Sequence, residues 1–268
     1  MGRLYLIPDR TDMGRICGLA EAYNCAFEYN DFYAAKVMDD PERQAEIIAA
    51  YEQRRDGFGQ DTMHGAFLDV TIHSSDPLIR DASMLRVHQS METAARMGLK
   101  GVVFHTGRLA NFRVTSYLDN WREVNAAFFT KLAGQYPRQQ IYMENMFDEA
   151  PDILADLAEQ MRDVENFGIC LDYAHAMLTG RSGEEWIGTL APYIRHIHIN
   201  DNDLVNDLHL AVGDGRLDWQ EFDRLIRKYR IEAPVLVEVS GYEAQKRSLE
   251  YMKLHGIYPM DAKTQNPA

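Results

Sequence analysis

Short apolar runs alternate eight times with longer stretches of helical character along this chain of 268 residues. The runs fall at residues 3–8, 25–29, 61–67, 101–105, 140–144, 167–172, 194–199 and 235–239. Among the intervening stretches, 41–55 opens after Asp39-Asp40, and 77–97 follows Asp76 and stops at Gly98, the residue types that cap helices. Stretches 218–228 and 242–254 close the series. Strands parted by helices of roughly 10–20 residues imply parallel βαβ units, and eight such units in about 250 residues fit a closed ring. The expected fold is a single (β/α)8 TIM barrel over residues 1–258, followed by a polar tail at 259–268. The rival, an open doubly wound sheet, favours a Gly-rich loop after the first strand. Here Ile7-Pro8-Asp9-Arg10-Thr11 follows instead, with no GxGxxG.

What ends each run is more specific than the runs themselves. The third reaches His64, the fourth His105, the fifth Glu144-Asn145, and the sixth Asp172 with His175 three residues on. The seventh alternates, Ile194-Arg195-His196-Ile197-His198-Ile199, and the eighth leads into Glu238. In a (β/α)8 barrel such ends converge on the catalytic face. His105, Glu144, Asp172, His198 and Glu238 would then crowd one another, and unpaired buried charges cost several kcal/mol each. No Lys or Arg ends these strands, Arg108 being the nearest. A divalent cation is the economical compensation. Mixed Asp, Glu and His donors suit Mn, Zn, Co or Fe better than Ca, which takes all-oxygen shells. Taken singly, a His or Glu at a strand end more often caps the strand or joins a surface hydrogen bond. The succession over neighbouring strands is what argues for metal. His196 shares the face of His198 but lies deeper, as a core or ligand-supporting residue. His73 reads as a solvent- or substrate-facing loop residue, and His88 and His255 as structural or exposed.

Composition narrows the partners. A formal net charge of −13 disfavours non-specific binding to nucleic acid or anionic membrane. Three cysteines without a CxxC pair suit a reducing, cytoplasmic setting. The start, Met1-Gly2-Arg3-Leu4-Tyr5-Leu6, shows neither a signal-peptide core nor a myristoylation pattern. No apolar run approaches the ~18 residues of a membrane span. A homo-oligomer is compatible with the sequence.

The set of strand ends resembles the xylose isomerase-like barrel superfamily, which groups sugar and sugar phosphate isomerases and epimerases with the DNA repair enzyme endonuclease IV. The resemblance covers roughly residues 27–251. It rests on His64-Gly65-Ala66-Phe67, His105-Thr106-Gly107, Glu144-Asn145, Asp172-Tyr173-Ala174-His175, His198-Ile199-Asn200-Asp201, Asp207-Leu208-His209 with Gly213-Asp214-Gly215, and Glu238. It implies a core metal held by Glu144, Asp172, His198 and Glu238. In trinuclear members the pattern adds a site where His64 and His105 join Glu144, and another with His175, Asp207 and His209. Two departures separate the chain from endonuclease IV-type enzymes. The first strand lacks their Gly-Ala-His start, and the second leads into Phe27-Glu28-Tyr29-Asn30-Asp31-Phe32-Tyr33. That acidic, aromatic loop suits sugar stacking and hydroxyl hydrogen bonds better than phosphate contacts, although packing over the barrel end is the plainer reading of Phe32 and Tyr33.

The expectation is a metal-dependent sugar or sugar phosphate isomerase or epimerase working through an enediolate on a small carbohydrate. By resemblance, Glu144 and Glu238 are its acid and base, with His175 orienting the substrate or shuttling a proton. The alternative is an endonuclease IV-like phosphodiester hydrolase of AP endonuclease family 2, since clustered metals suit that cleavage. Asp207 and His209, two apart in an extended loop, would point to one side. The isomerase reading leaves His175 and His209 free for substrate oxygens beside one tightly held metal, whereas the hydrolase reading fills them with a further ion that Asp207 also ligates. Arg108, Arg181 and Arg216 are candidate anion contacts, with solvated surface positions as the plainer reading.

Overall fold

Eight strands form: β1 (Leu4–Leu6), β2 (Ala26–Tyr29), β3 (Thr62–His64), β4 (Gly101–His105), β5 (Gln140–Glu144), β6 (Phe167–Asp172), β7 (Ile194–Ile199) and β8 (Val235–Val237). Each pairs in parallel with its sequence neighbour, and β8 returns to β1 to close the barrel. The structure is a computed structural model and describes residues 3–53 and 57–261.

Alternation along each strand sorts side chains into two compartments. Outward residues such as Phe27, Tyr29, Met63, Phe104, Met143, Leu171, Ile197 and Val237 join the apolar faces of the helices in one continuous core. Inward ones form small separate clusters, Tyr5 with Ala26 and Leu236, and Val103 with Tyr142 and Cys170. Strands covered on both faces read as near-continuous apolar runs, and each such side chain, fully buried, contributes about 1.5–3 kcal/mol.

The expected helices form, with the expected caps at Asp40, Asp76 and Gly98, while Asp218, expected as the first residue of its helix, is instead the cap before it. Pro77–Met97 starts where the Asp76 carboxylate accepts from the Leu78 N–H and stops at Gly98, whose φ is +70°. Asp40 and Asp218 accept from Arg43 N–H and Glu221 N–H at the starts of Pro41–Glu52 and Trp219–Lys228. Arg55, the expected end of the former, lies outside the described residues. Several strands are shorter than the apolar runs: β8 ends at Val237, so Glu238 sits one residue past it, its N–H still donating to Ile199 O at 2.8 Å. Packing runs past residue 258, where Pro259 is buried and Arg227 donates to Met260 O at 3.2 Å. Met1, Gly2 and residues 262–268, most of the expected tail, lie outside the described residues. No helix among the described residues is long and apolar enough to cross a membrane.

The loop after β7 is built around Asp201. Its carboxylate accepts from the backbone N–H groups of Asn202, Gly213 and Leu217 and from the Trp219 indole, at 2.8–3.1 Å. Gly215 passes so close that a Cβ there would stand 2.2 Å from Asp201 Oδ1. The hub fixes the base of the loop that carries Asp207 and His209.

Candidate metal centre at the barrel mouth

Inward side chains at the ends of β5, β6, β7 and β8 meet at one point. Glu144, Asp172, His198 and Glu238 each offer a ligand atom within 4.8 Å of the others, and all four are buried. His198 Nδ1 stands 3.3 Å from Glu144 Oε1 and 3.4 Å from Glu238 Oε2. Both Glu144 oxygens, Asp172 Oδ2, Glu238 Oε2 and His198 Nδ1 are buried without a hydrogen-bond partner. Each such atom costs about 1–3 kcal/mol, more when charged, and several aimed at one point mark a place suited to a cation. Asp172 divides its work: Oδ1 accepts from the His175 N–H at 2.7 Å, leaving Oδ2 for the centre. Burial pushes its carboxyl up to about 7; His175 pulls against this, and Glu238 and Glu144 add to it. Burial also works against charge on Glu144, but His198 and His105 outweigh it and hold that carboxyl well below the usual range.

Two further groups adjoin. His64 Nε2 and His105 Nε2 are 3.1 Å apart, and each is 3.4 Å from Glu144 Oε2, the oxygen turned away from His198. His64 Nδ1 donates to Gly65 O at 3.0 Å, which leaves its Nε2 lone pair facing inward. Beyond them, Asp207 Oδ2 lies 3.2 Å from both His175 Nε2 and His209 Nε2. Donor atoms sharing one tetrahedral zinc at ordinary bond lengths stand ~3.3 Å apart, close to the contacts given above in each group, 3.1–3.4 Å. Burial lowers His209, but Asp207 outweighs it and holds the imidazole at about 9. The pair converges by a route other than the expected extended loop, since His209 has a φ of +47°. A non-Gly residue in that region is uncommon and is held by its surroundings, here by the Nδ1–H bond to Glu238 O at 2.9 Å.

A cavity of about 400 Å³ opens over these groups, walled by Tyr33, Phe67, Met146 and Ser240. The Phe67 ring packs 4.8 Å from His64, His105 and Tyr33 alike. All nine expected ligand residues thus gather at the mouth in three groups.

Other expectations need correction. Glu28 is not a loop acid: it lies in β2, fully buried inside the barrel. Asp31 is paired with Arg10 at 2.9 Å and with the Tyr51 hydroxyl, and Phe32 is buried, so the acidic loop is largely neutralised and packed. His73 is buried too: Nε2 meets the Tyr117 hydroxyl at 3.0 Å, and burial brings the imidazole down to about 4. Arg108 is held between Asp148 and Glu149 with its side chain 3% exposed, neither solvated nor free for an anion. Arg181 bonds Glu149 O at 2.6 Å and pairs with Glu185. Period two puts His196 on the inner face, as found; only its contact with Glu28, across the barrel in space, is hidden from the sequence.

Residues 20–255 match the xylose isomerase-like TIM barrel family. A protein of Nitratidesulfovibrio vulgaris named probable endonuclease 4 is 26% identical over 233 residues, covering 77% of this chain and 81% of its own. A Thermus thermophilus protein, solved after soaking with zinc chloride, superposes with a TM-score of 0.73 at 20% identity over 93% of this chain and 96% of that one. A D-tagatose 3-epimerase-like protein superposes with a TM-score of 0.73 at 18% identity over 93% and 95%.

Proposed function

The chain belongs to the xylose isomerase-like TIM barrel family, and from that premise we propose that it is a divalent-metal-dependent epimerase or isomerase of a small sugar or sugar phosphate. The observation that carries the reading is the pair Glu144 and Glu238, two buried carboxylates turned to one point beneath a cavity of sugar size. Moving a proton beside a carbonyl needs one group to remove it and one to return it, and two converging carboxylates can do both. The D-tagatose 3-epimerase-like neighbour supports this class.

Glu144, Asp172, His198 and Glu238 would hold the metal, whose identity among Mn, Zn, Co and Fe is left to measurement. When bound, such an ion polarises a substrate carbonyl and offsets the negative charge that grows on its oxygen. One glutamate takes the proton alpha to the carbonyl, giving an enediolate, and the other carboxyl returns a proton, to the opposite face of that carbon in an epimerisation or to the former carbonyl carbon in an isomerisation. His175 and His209 face the cavity and orient substrate hydroxyls, while Tyr33 and Phe67 exclude water and offer apolar surface to the sugar ring. A second reading, an endonuclease IV-like phosphodiester hydrolase of AP endonuclease family 2, draws on the complete His175, Asp207 and His209 group and on the endonuclease 4 relative.

Solvent exchange separates the two. Metal-loaded protein incubated with ketoses in deuterated water is expected to place deuterium on the substrate carbon, and Glu144→Gln and Glu238→Gln are each expected to lower kcat by about 100-fold or more. No exchange with any ketose, together with incision of abasic-site DNA, would assign the site to the hydrolase.

A further inference from the structure

Beneath the mouth, the barrel interior is polar where Val, Ile and Leu usually fill the layers. Glu28, Thr62 and His196 are fully buried there. Glu28 Oε2 accepts from Thr62 Oγ1 at 2.7 Å and from His196 Nε2 at 2.9 Å. Glu28 Oε1 stands 3.0 Å from His198 Nε2, an ion-pair contact, and neither atom has a hydrogen-bond partner among the described residues. A carboxylate taken this far from water costs several kcal/mol, so it persists only where something nearby needs a negative charge.

The histidines of the mouth show what that is. His64, His175 and His209 each donate Nδ1–H to a backbone carbonyl, of Gly65, Asn145 and Glu238, and turn Nε2 inward. His198 is mounted the other way round: Nδ1 faces Glu144 and Glu238, and Nε2 points down at Glu28. Glu28 takes the part that a backbone carbonyl plays for the others. We propose that Glu28 is a positioning residue of the metal centre, accepting Nε2–H of His198 so that Nδ1 keeps its lone pair for the ion. The inference rests on the metal-binding half of the reading above and not on its reaction. Thr62 and His196 hold the carboxylate in turn, so support runs from β3 and β7 through Glu28 to the ligand. A ligand histidine with a carboxylate behind it binds more tightly, and losing such a support costs about 10–100-fold in metal affinity.

Competition with a chromophoric chelator, on intact protein, measures zinc affinity for the wild type, Glu28→Gln and Thr62→Val. Glu28→Gln is expected to weaken zinc about 10–100-fold without lowering the melting temperature of the metal-free protein. Thr62→Val, which removes one bond to the carboxylate, is expected to weaken it less. Histidine ring 15N spectra of zinc-loaded wild type are expected to show His198 protonated on Nε2 and metal-bound through Nδ1, a readout that needs no variant should Glu28→Gln fail to fold. Wild-type affinity in Glu28→Gln, or His198 protonated on Nδ1, would overturn the assignment. So would a deeper ion lost in Cys170→Ala: Cys170, His196 and His198 have ligand atoms within 4.8 Å of one another, and Glu28 would then be part of a cage. A wild type that holds neither zinc nor manganese, cobalt or ferrous iron sinks the metal centre and this inference together. Zinc held without turnover of any ketose refutes the reaction alone and leaves Glu28 in its role.

Discussion

At the scale of single residues, Asp172 makes the clearest demand for a cation. Its folded carboxyl, pushed up to about 7 from 3.8, contributes stability that is fully present below the unfolded value and lost as pH rises through about 7. Metal-free protein should therefore soften over that range, and Asp172→Asn, which cannot ionise, should lack this part of the slope. Melting curves in chelator from about pH 5 to 8 are expected to place the variant at least ~2 °C above the wild type near neutrality, with no further rise on adding metal. A variant less stable than the wild type at every pH would mean the cap on His175 matters more than the crowding of charge. Asp207 makes a different demand, since one of its oxygens faces two imidazoles. Asp207→Ala is expected to raise KM several-fold while metal analysis still finds the ion at Glu144, Asp172, His198 and Glu238. Three ions per chain in the wild type and two in the variant would favour the hydrolase.

At the scale of elements, the loop after β7 depends on one carboxylate. Asp201→Ala leaves three backbone N–H groups and an indole N–H unpaired and is expected to destabilise by about 3 kcal/mol or more, measured by urea unfolding. Gly215→Ala, whose Cβ would meet Asp201 Oδ1, should act in the same direction and displace Asp207 and His209, raising KM ahead of any change at β5 and β6. These elements also show what the sequence makes legible. The eight strand positions and the helix caps at Asp40 and Asp76 are local signals that the structure bears out, and the residues read as ligand types at strand ends do stand together at the barrel mouth. Glu28 falls within the run 25–29 read as the second strand, but its pairing inside the barrel was not legible, because His196 and His198 lie 168 and 170 positions away. Arg108 and His73 misled for the same reason: Asp148 and Tyr117 enclose them only once the barrel has closed. The φ of His209 follows from its bond to Glu238 O, a contact between two different loops.

For the whole molecule, the ion is expected to act as a rivet across four strands. Exhaustive chelation should lower the melting temperature, since a bound metal stabilises the fold by mass action and its loss leaves Glu144, Asp172 and Glu238 facing one another. Unchanged melting after metal removal, confirmed by elemental analysis, would mean that no structural ion sits there. The ring closure of β8 on β1 carries a consequence for biosynthesis. Glu144 leaves the ribosome long before Glu238, and nothing in the first five strands assembles the set of four. A nascent chain therefore lacks the four-residue set of Glu144, Asp172, His198 and Glu238, which comes together only when the ring closes. An ion held by that set would then be chosen after synthesis, by a scaffold already closed.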